Sequence, residues 1–140
     1  MYYLLAVRPI KLKHVMTTEE LKERTRKFGI RVLKMSDHLP KCYSALVISR
    51  QITRSASSVG ANYRAACRSK SPRDFINKLK IVEEELDETE YWLVMIKEMG
   101  FISADQLREL YLEVNELLSI IVKSLKTAKT NERLKAKTKA

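Results

Sequence analysis

Residues 48–68 read ISRQITRSASSVGANYRAACR. The stretch holds no proline and is long enough for about six helical turns. At about 100° per residue, Ile48, Ile52, Ala56, Val59, Tyr63 and Ala66 fall on one side of a helix. Arg50, Arg54, Ser57, Ala61, Arg64 and Arg68 fall on the other, the four arginines within an arc of roughly 80°. Burial suits the first side, and a negatively charged partner suits the second. The apolar side is unusually small, with Ala45, Ser49, Ser55, Ala56, Gly60 and Ala66 among its residues. A mid-helix glycine costs about 1 kcal/mol relative to alanine, so Gly60 marks a close approach by another backbone. Asn62, at the edge of the apolar side, reads as a packing hydrogen bond rather than a catalytic group.

Outward from this helix, the flanking segments carry their own start and stop signals. Thr17 and Glu20 have capping-box spacing, and Leu21, Phe28, Val32, Met35 and Leu39 follow at helical intervals until Pro40 ends the run. The remaining faces of this first helix are mainly charged, which places it at the surface. The central helix begins near Tyr43 or Ser44. Ser71 suits an N-cap, Pro72 the first helical position, and Asp74 a capping-box-like exchange. Phe75, Leu79, Val82, Leu86, Thr89, Leu93 and Ile96 then alternate steps of four and three, the heptad spacing of long helices packed at a shallow angle. Ile76, Trp92, Met95 and Met99 widen that surface toward a second subunit.

Gly100 suits a C-terminal cap, and Ser103 with Gln106 a second capping box. Leu107, Leu110, Tyr111, Val114, Leu117, Leu118, Ile121, Val122 and Leu125 form the stripe of a fourth helix. Its short connection to the third predicts an antiparallel hairpin. The domain reading is a tail over 1–16, a four-helix bundle over 17–126, and a disordered basic tail over 127–140, where the chain reads TAKTNERLKAKTKA. The residues before the first helix have no clear period, and Met16 directly before its cap is an alternative initiator to Met1.

Composition agrees with an all-α fold. The 140 residues include only three glycines and three prolines, too few for the turns of many short strands. Lys plus Arg number 27 against 17 for Asp plus Glu, a formal charge of +10 that favours polyanions. Cys42 and Cys67 form no CxxC pair and read as packing residues in a reducing cytoplasm. The N-terminal YYLLAV is too short for a signal-peptide core with flanks or a membrane span, so neither export nor membrane insertion is expected.

Catalytic constellations are missing from the pattern. The acidic run Glu83 to Glu90 is not matched by a Glu-x-x-His spacing, so no metal site is expected. The serines lack a nucleophile elbow, Cys67 lacks an orienting base, and no glycine-rich loop cradles a phosphate. Neither an enzyme nor a cofactor is expected. The run reads as a solvated face or as a partner for arginines of a neighbouring subunit. Tyr63 and Tyr91, with apolar neighbours at helical spacing, read as core rather than as base-stacking platforms.

SVGANYRAACRSKS followed by DFINKLKIVEEELDETEYWLVMIKEMGFI resembles the bacterial four-helix-bundle family that includes proteins encoded by intervening sequences within 23S ribosomal RNA genes. Ser58-Val59-Gly60-Ala61-Asn62 resembles the family's S-[IV]-x-A-N block. The following Tyr63-Arg64-Ala65-Ala66 resembles an N-Y-R-x-A subgroup rather than the commoner Ile-Ala-Glu-Gly continuation. The resemblance implies an antiparallel up-and-down bundle assembled as a ring-like homopentamer, with no enzymatic activity or cofactor. A related branch, the accessory protein of diversity-generating retroelements, implies nucleic-acid binding and a reverse-transcriptase partner. The leading expectation is therefore a cytoplasmic homo-oligomer binding RNA or DNA through Arg50, Arg54, Arg64, Arg68, Lys70 and Arg73. The competing class is a scaffold whose arginines pair with the acidic run of an adjacent subunit.

Overall fold

The structure, a computed structural model, describes residues 15–140. The tail expected over residues 1–16, and with it the choice between Met1 and Met16, lies outside the described residues apart from Val15 and Met16. Four helices make up the described chain: α1 Thr18–Ser36, α2 Tyr43–Cys67, α3 Pro72–Glu98 and α4 Ala104–Thr138, with no strand among these residues. None of the helices is long and apolar enough to cross a membrane.

The helix ends follow the local chemistry of the sequence. Thr17 and Glu20 close a reciprocal capping box on α1, and Ser103 and Gln106 close one on α4. Ser71 Oγ accepts from the Asp74 amide at 3.1 Å, but the reciprocal half of that box is missing because the Asp74 carboxylate instead accepts from Lys78 Nζ at 3.0 Å. Gly100 adopts φ +71°, a conformation that favours glycine. The amides of Gly100 and Phe101 then donate to Lys97 O and Ile96 O at 3.0 and 3.1 Å, satisfying two carbonyls at the end of α3. Cys42, expected to pack, is instead the exposed N-cap of α2.

One continuous core lies between the helices. All six residues assigned to the apolar side of the opening stretch, Ile48, Ile52, Ala56, Val59, Tyr63 and Ala66, are buried. They meet Phe28 and Val32 of α1, Leu79, Val82, Leu86, Leu93 and Ile96 of α3, and Val114, Leu117 and Ile121 of α4. Helix α2 packs on α1 and α3, α3 packs on α4, and α1 touches α4 more lightly. The α1–α4 contact is fastened by Arg24, whose Nε and Nη2 donate to the two Glu113 oxygens at 2.7 and 2.9 Å. Arg24 Nη2 also lies 3.0 Å from Glu116. A bidentate pair of this kind fixes orientation as well as charge.

Two polar groups punctuate the α2–α3 seam. Thr89 Oγ1 donates to Ser55 Oγ at 2.9 Å, and Ser55 Oγ donates to Ile52 O at 3.2 Å. Both residues are fully buried, so the pairing offsets a desolvation cost that either hydroxyl alone would carry.

The α1–α2 seam is closer. A Cβ built on Gly60 would stand 3.3 Å from the Arg26 amide nitrogen, and one on Gly29 would stand 3.2 Å from Ala56 O. These neighbours are backbone atoms that cannot rotate away, so each glycine permits the two helices their present separation. Helix α4 departs from the sequence pattern at its far end. It continues to Thr138, through the segment read as a disordered tail. That segment contains no glycine or proline and is rich in Ala, Lys, Leu, Glu and Arg, all favourable in helices.

Replacing Gly60 by valine should destabilise the fold by about 1–3 kcal/mol, because added carbons press on the α1 backbone. Alanine should cost less, since its better helix propensity of about 1 kcal/mol offsets the tight contact. Urea denaturation midpoints would check this, and a valine variant as stable as the parent would contradict the packing argument.

Candidate nucleic-acid interface

The side of α2 opposite the core is exposed along Arg50, Arg54, Ser57, Ala61, Arg64 and Arg68, as the helical wheel requires. The arginines nevertheless do not act as one group. Arg54 leans toward α3, where its Nη2 donates to Glu88 at 2.6 Å and its Nη1 to Glu85 at 3.4 Å. Glu88 also accepts from Trp92 Nε1 at 3.2 Å. Hydrogen bonding by Arg54 and Trp92 holds the Glu88 carboxyl below its usual range, and burial opposes the shift only in part. The same carboxylates raise the Arg54 guanidinium. Two members of the acidic run are thus engaged by an arginine of their own chain.

Arg64 and Arg68 turn the other way, toward α1. They line a groove of about 560 Å³ with Lys22, Thr25, Arg26, Gly29, Ile30 and Leu33 of α1 and Ser57, Gly60 and Ala61 of α2. The floor is made of small residues because the two helices approach through Gly29 and Gly60. The rim is cationic. Glu19, the single acid of the groove, is 2.9 Å from Lys22. Arg26, Arg64 and Arg68 have no carboxylate within salt-bridge distance among the described residues. Ile30 and Leu33, 40% and 41% exposed, supply an apolar wall at the far end.

The other three expected contacts are dispersed. Arg50 is exposed nearer the start of α2, beside the exposed Leu46 and Val47. Lys70 lies in the α2–α3 turn, at a cavity shared with Asn131 and Lys135 of α4. Arg73 is exposed in the first turn of α3. Arg64 and Arg68 thus share one groove, which Arg50, Lys70 and Arg73 do not line. The groove also adds Lys22 and Arg26, which read in the sequence as part of a solvated helix face. Their i, i+4 spacing places both on one side of α1, but which side meets α2 follows from packing.

Aromatic groups are not part of this groove. Tyr63 is buried, and burial raises its phenol above the ordinary range. Tyr91, expected in the core, is instead 56% exposed on α3, edge-on to Trp92 with ring centroids 5.0 Å apart. It sits beside the heptad seam rather than in it, and its burial stops at that edge. A groove with a small-residue floor, guanidinium rims and no stacking platform suits a phosphodiester backbone better than splayed bases.

A family model described as 23S rRNA-intervening sequence protein matches residues 18–123. A crystal structure from Bacteroides thetaiotaomicron VPI-5482, described as a protein with unknown function from the S23 ribosomal protein family, is similar at 32% identity and a TM-score of 0.73. The similarity covers 79% of this chain and 99% of that one. No curated protein matches significantly.

The Arg54–Glu88 pair carries a pH dependence of definite sign. The folded-state value of Glu88 is lowered, so its contribution is present above the ordinary carboxylate range and is lost as pH falls through the lowered value. Arg54→Gln should cost about 0.2–1 kcal/mol at neutral pH and lose less stability than the parent on acidification. Denaturation curves at neutral and acid pH would check this; equal acid losses in the two proteins would contradict the pairing.

Proposed function

Because the chain belongs to the family of 23S rRNA-intervening sequence proteins, we propose that it is a non-enzymatic nucleic-acid-binding protein of the cytoplasm. In this reading it is an antiparallel up-and-down four-helix bundle that assembles as a ring-like homo-oligomer, the pentamer that the family resemblance implies. The observation that carries the binding reading is the α1–α2 groove, with three guanidinium groups that have no carboxylate within salt-bridge distance among the described residues. Arg26, Arg64 and Arg68 hold phosphates there, with Lys22 at the rim. Arg50, Lys70 and Arg73 add weaker, outlying contacts. Arg54 serves the α2–α3 seam instead.

Binding through guanidinium groups and small residues reads the backbone and its shape, with little base discrimination. Each phosphate neutralised releases counterions, so affinity falls steeply with salt, and repetition around a ring multiplies a modest site through avidity. The antiparallel order is supported by pairings that run in opposite chain directions. Arg26 meets Gly60 while Gly29 meets Ala56, and Tyr111 donates to Glu90 at 3.1 Å across the α3–α4 hairpin. Self-association is supported by exposed Ile81 and Tyr91 on α3, Met99 at its C-cap and Leu112 on α4.

The scaffold reading has one observation in its favour. Ile81, Glu84 and Tyr91 share an exposed strip of α3 that combines apolar and acidic groups, complementary to the basic α1–α2 face. The two readings part on the same variant. If the groove holds phosphate, Arg64→Glu with Arg68→Glu should lower affinity for RNA or DNA duplexes by roughly tenfold or more and flatten the salt slope by about 2. Arg54→Gln should bind as the parent does. Light scattering should give about five times the 16.3 kDa chain mass for parent and variant alike. Unchanged nucleic-acid affinity with a collapse in mass would favour the scaffold instead.

A further inference from the structure

Beyond Leu125, the last buried residue, α4 continues as an arm through Lys126 to Thr138 in which no side chain is buried. With Lys139 directly after it, this segment carries six basic residues against the single acid Glu132. Glu132 lies 3.7 Å from Lys135. Four of the others, Lys126, Lys129, Arg133 and Lys137, stand at steps of three, four and four, within an arc of about 80°. They span about 16 Å of helix. Like charges at these spacings repel one another, and an extended anion lying along the stripe relieves that repulsion.

The chemistry of the arm selects among anions. Leu134, 57% exposed, is its one large apolar side chain. An arm without an apolar face has nothing to insert below a lipid headgroup and no seam for a partner helix. A phosphodiester strand, with a regular row of charges and no demand for apolar contact, fits the stripe. On the side of the helix away from the stripe, Asn131 and Lys135 border a cavity with Lys70 and Thr18, at the end of the molecule where α1 begins and α2 ends. That is the end at which Arg64 and Arg68 line the groove.

We propose that the α4 arm is a second nucleic-acid-binding element, its cationic stripe lying along a phosphate backbone. The inference rests on the reading of the protein as a nucleic-acid binder, but uses residues separate from the groove. The probe is a fluorescently labelled RNA duplex titrated at several salt concentrations against three full-length proteins. These are the parent, Lys129→Gln with Arg133→Gln and Lys137→Gln, and Arg64→Glu with Arg68→Glu. The arm variant should bind roughly tenfold or more weakly, with a salt slope flatter by about 2–3. A chain ending at Lys126 should keep the parent's cooperative melting and bind RNA as weakly as the arm variant.

An arm variant with parental affinity and slope, beside a groove variant that has lost binding, would overturn the arm while leaving the groove. Loss of binding in the arm variant alone would support the arm and remove the groove. Binding of the parent to phosphatidylglycerol vesicles and not to RNA or DNA would overturn both.

Discussion

The close approach of α1 and α2 through Gly29 and Gly60 is the constraint on which the functional surface depends. At each crossing, the missing side chain leaves room for the other helix's backbone, with an added Cβ only 3.2–3.3 Å from it. Larger residues would widen the seam and fill it. With glycine, the floor stays shallow, and Arg26 of α1 shares one groove with Arg64 and Arg68 of α2. The helix-propensity cost of a mid-helix glycine is about 1 kcal/mol, offset by contact between two long elements along their length.

The arginines divide into those used to build the molecule and those left facing outward. Arg24 fastens α1 to α4, and Arg54 fastens α2 to α3. Arg26, Arg64 and Arg68 line one cleft with no carboxylate at salt-bridge distance among the described residues. Such a cluster weakens the compact state slightly and attracts polyanions strongly at low salt. An overall charge of +10 extends the attraction beyond the groove.

Much of this was legible in the sequence because it is encoded locally. The Thr17–Glu20 and Ser103–Gln106 boxes, the Gly100 cap and the apolar side of α2 depend on spacing within a single helix, and each appears in the structure. Gly60 was readable as a close approach because its helical cost needs a compensating contact. The destination of each arginine was not readable. Whether Arg54 faces solvent or Glu88 depends on the rotation of α3 about its own axis, which no periodicity within α2 encodes. Tyr91 shows the same difficulty, since apolar neighbours at helical spacing do not reveal where one helix's cover ends. The arm of α4 combined two opposing local signals, good helix formers and dense like charge, and composition alone weighted the second too heavily.

If phosphate lies in the α1–α2 groove, a saturating RNA duplex should shield Arg26, Arg64 and Arg68 of the full-length protein from phenylglyoxal, read by peptide mass spectrometry, and raised salt should remove that shielding. Unchanged reactivity of these three arginines in the presence of bound RNA would place the phosphates elsewhere.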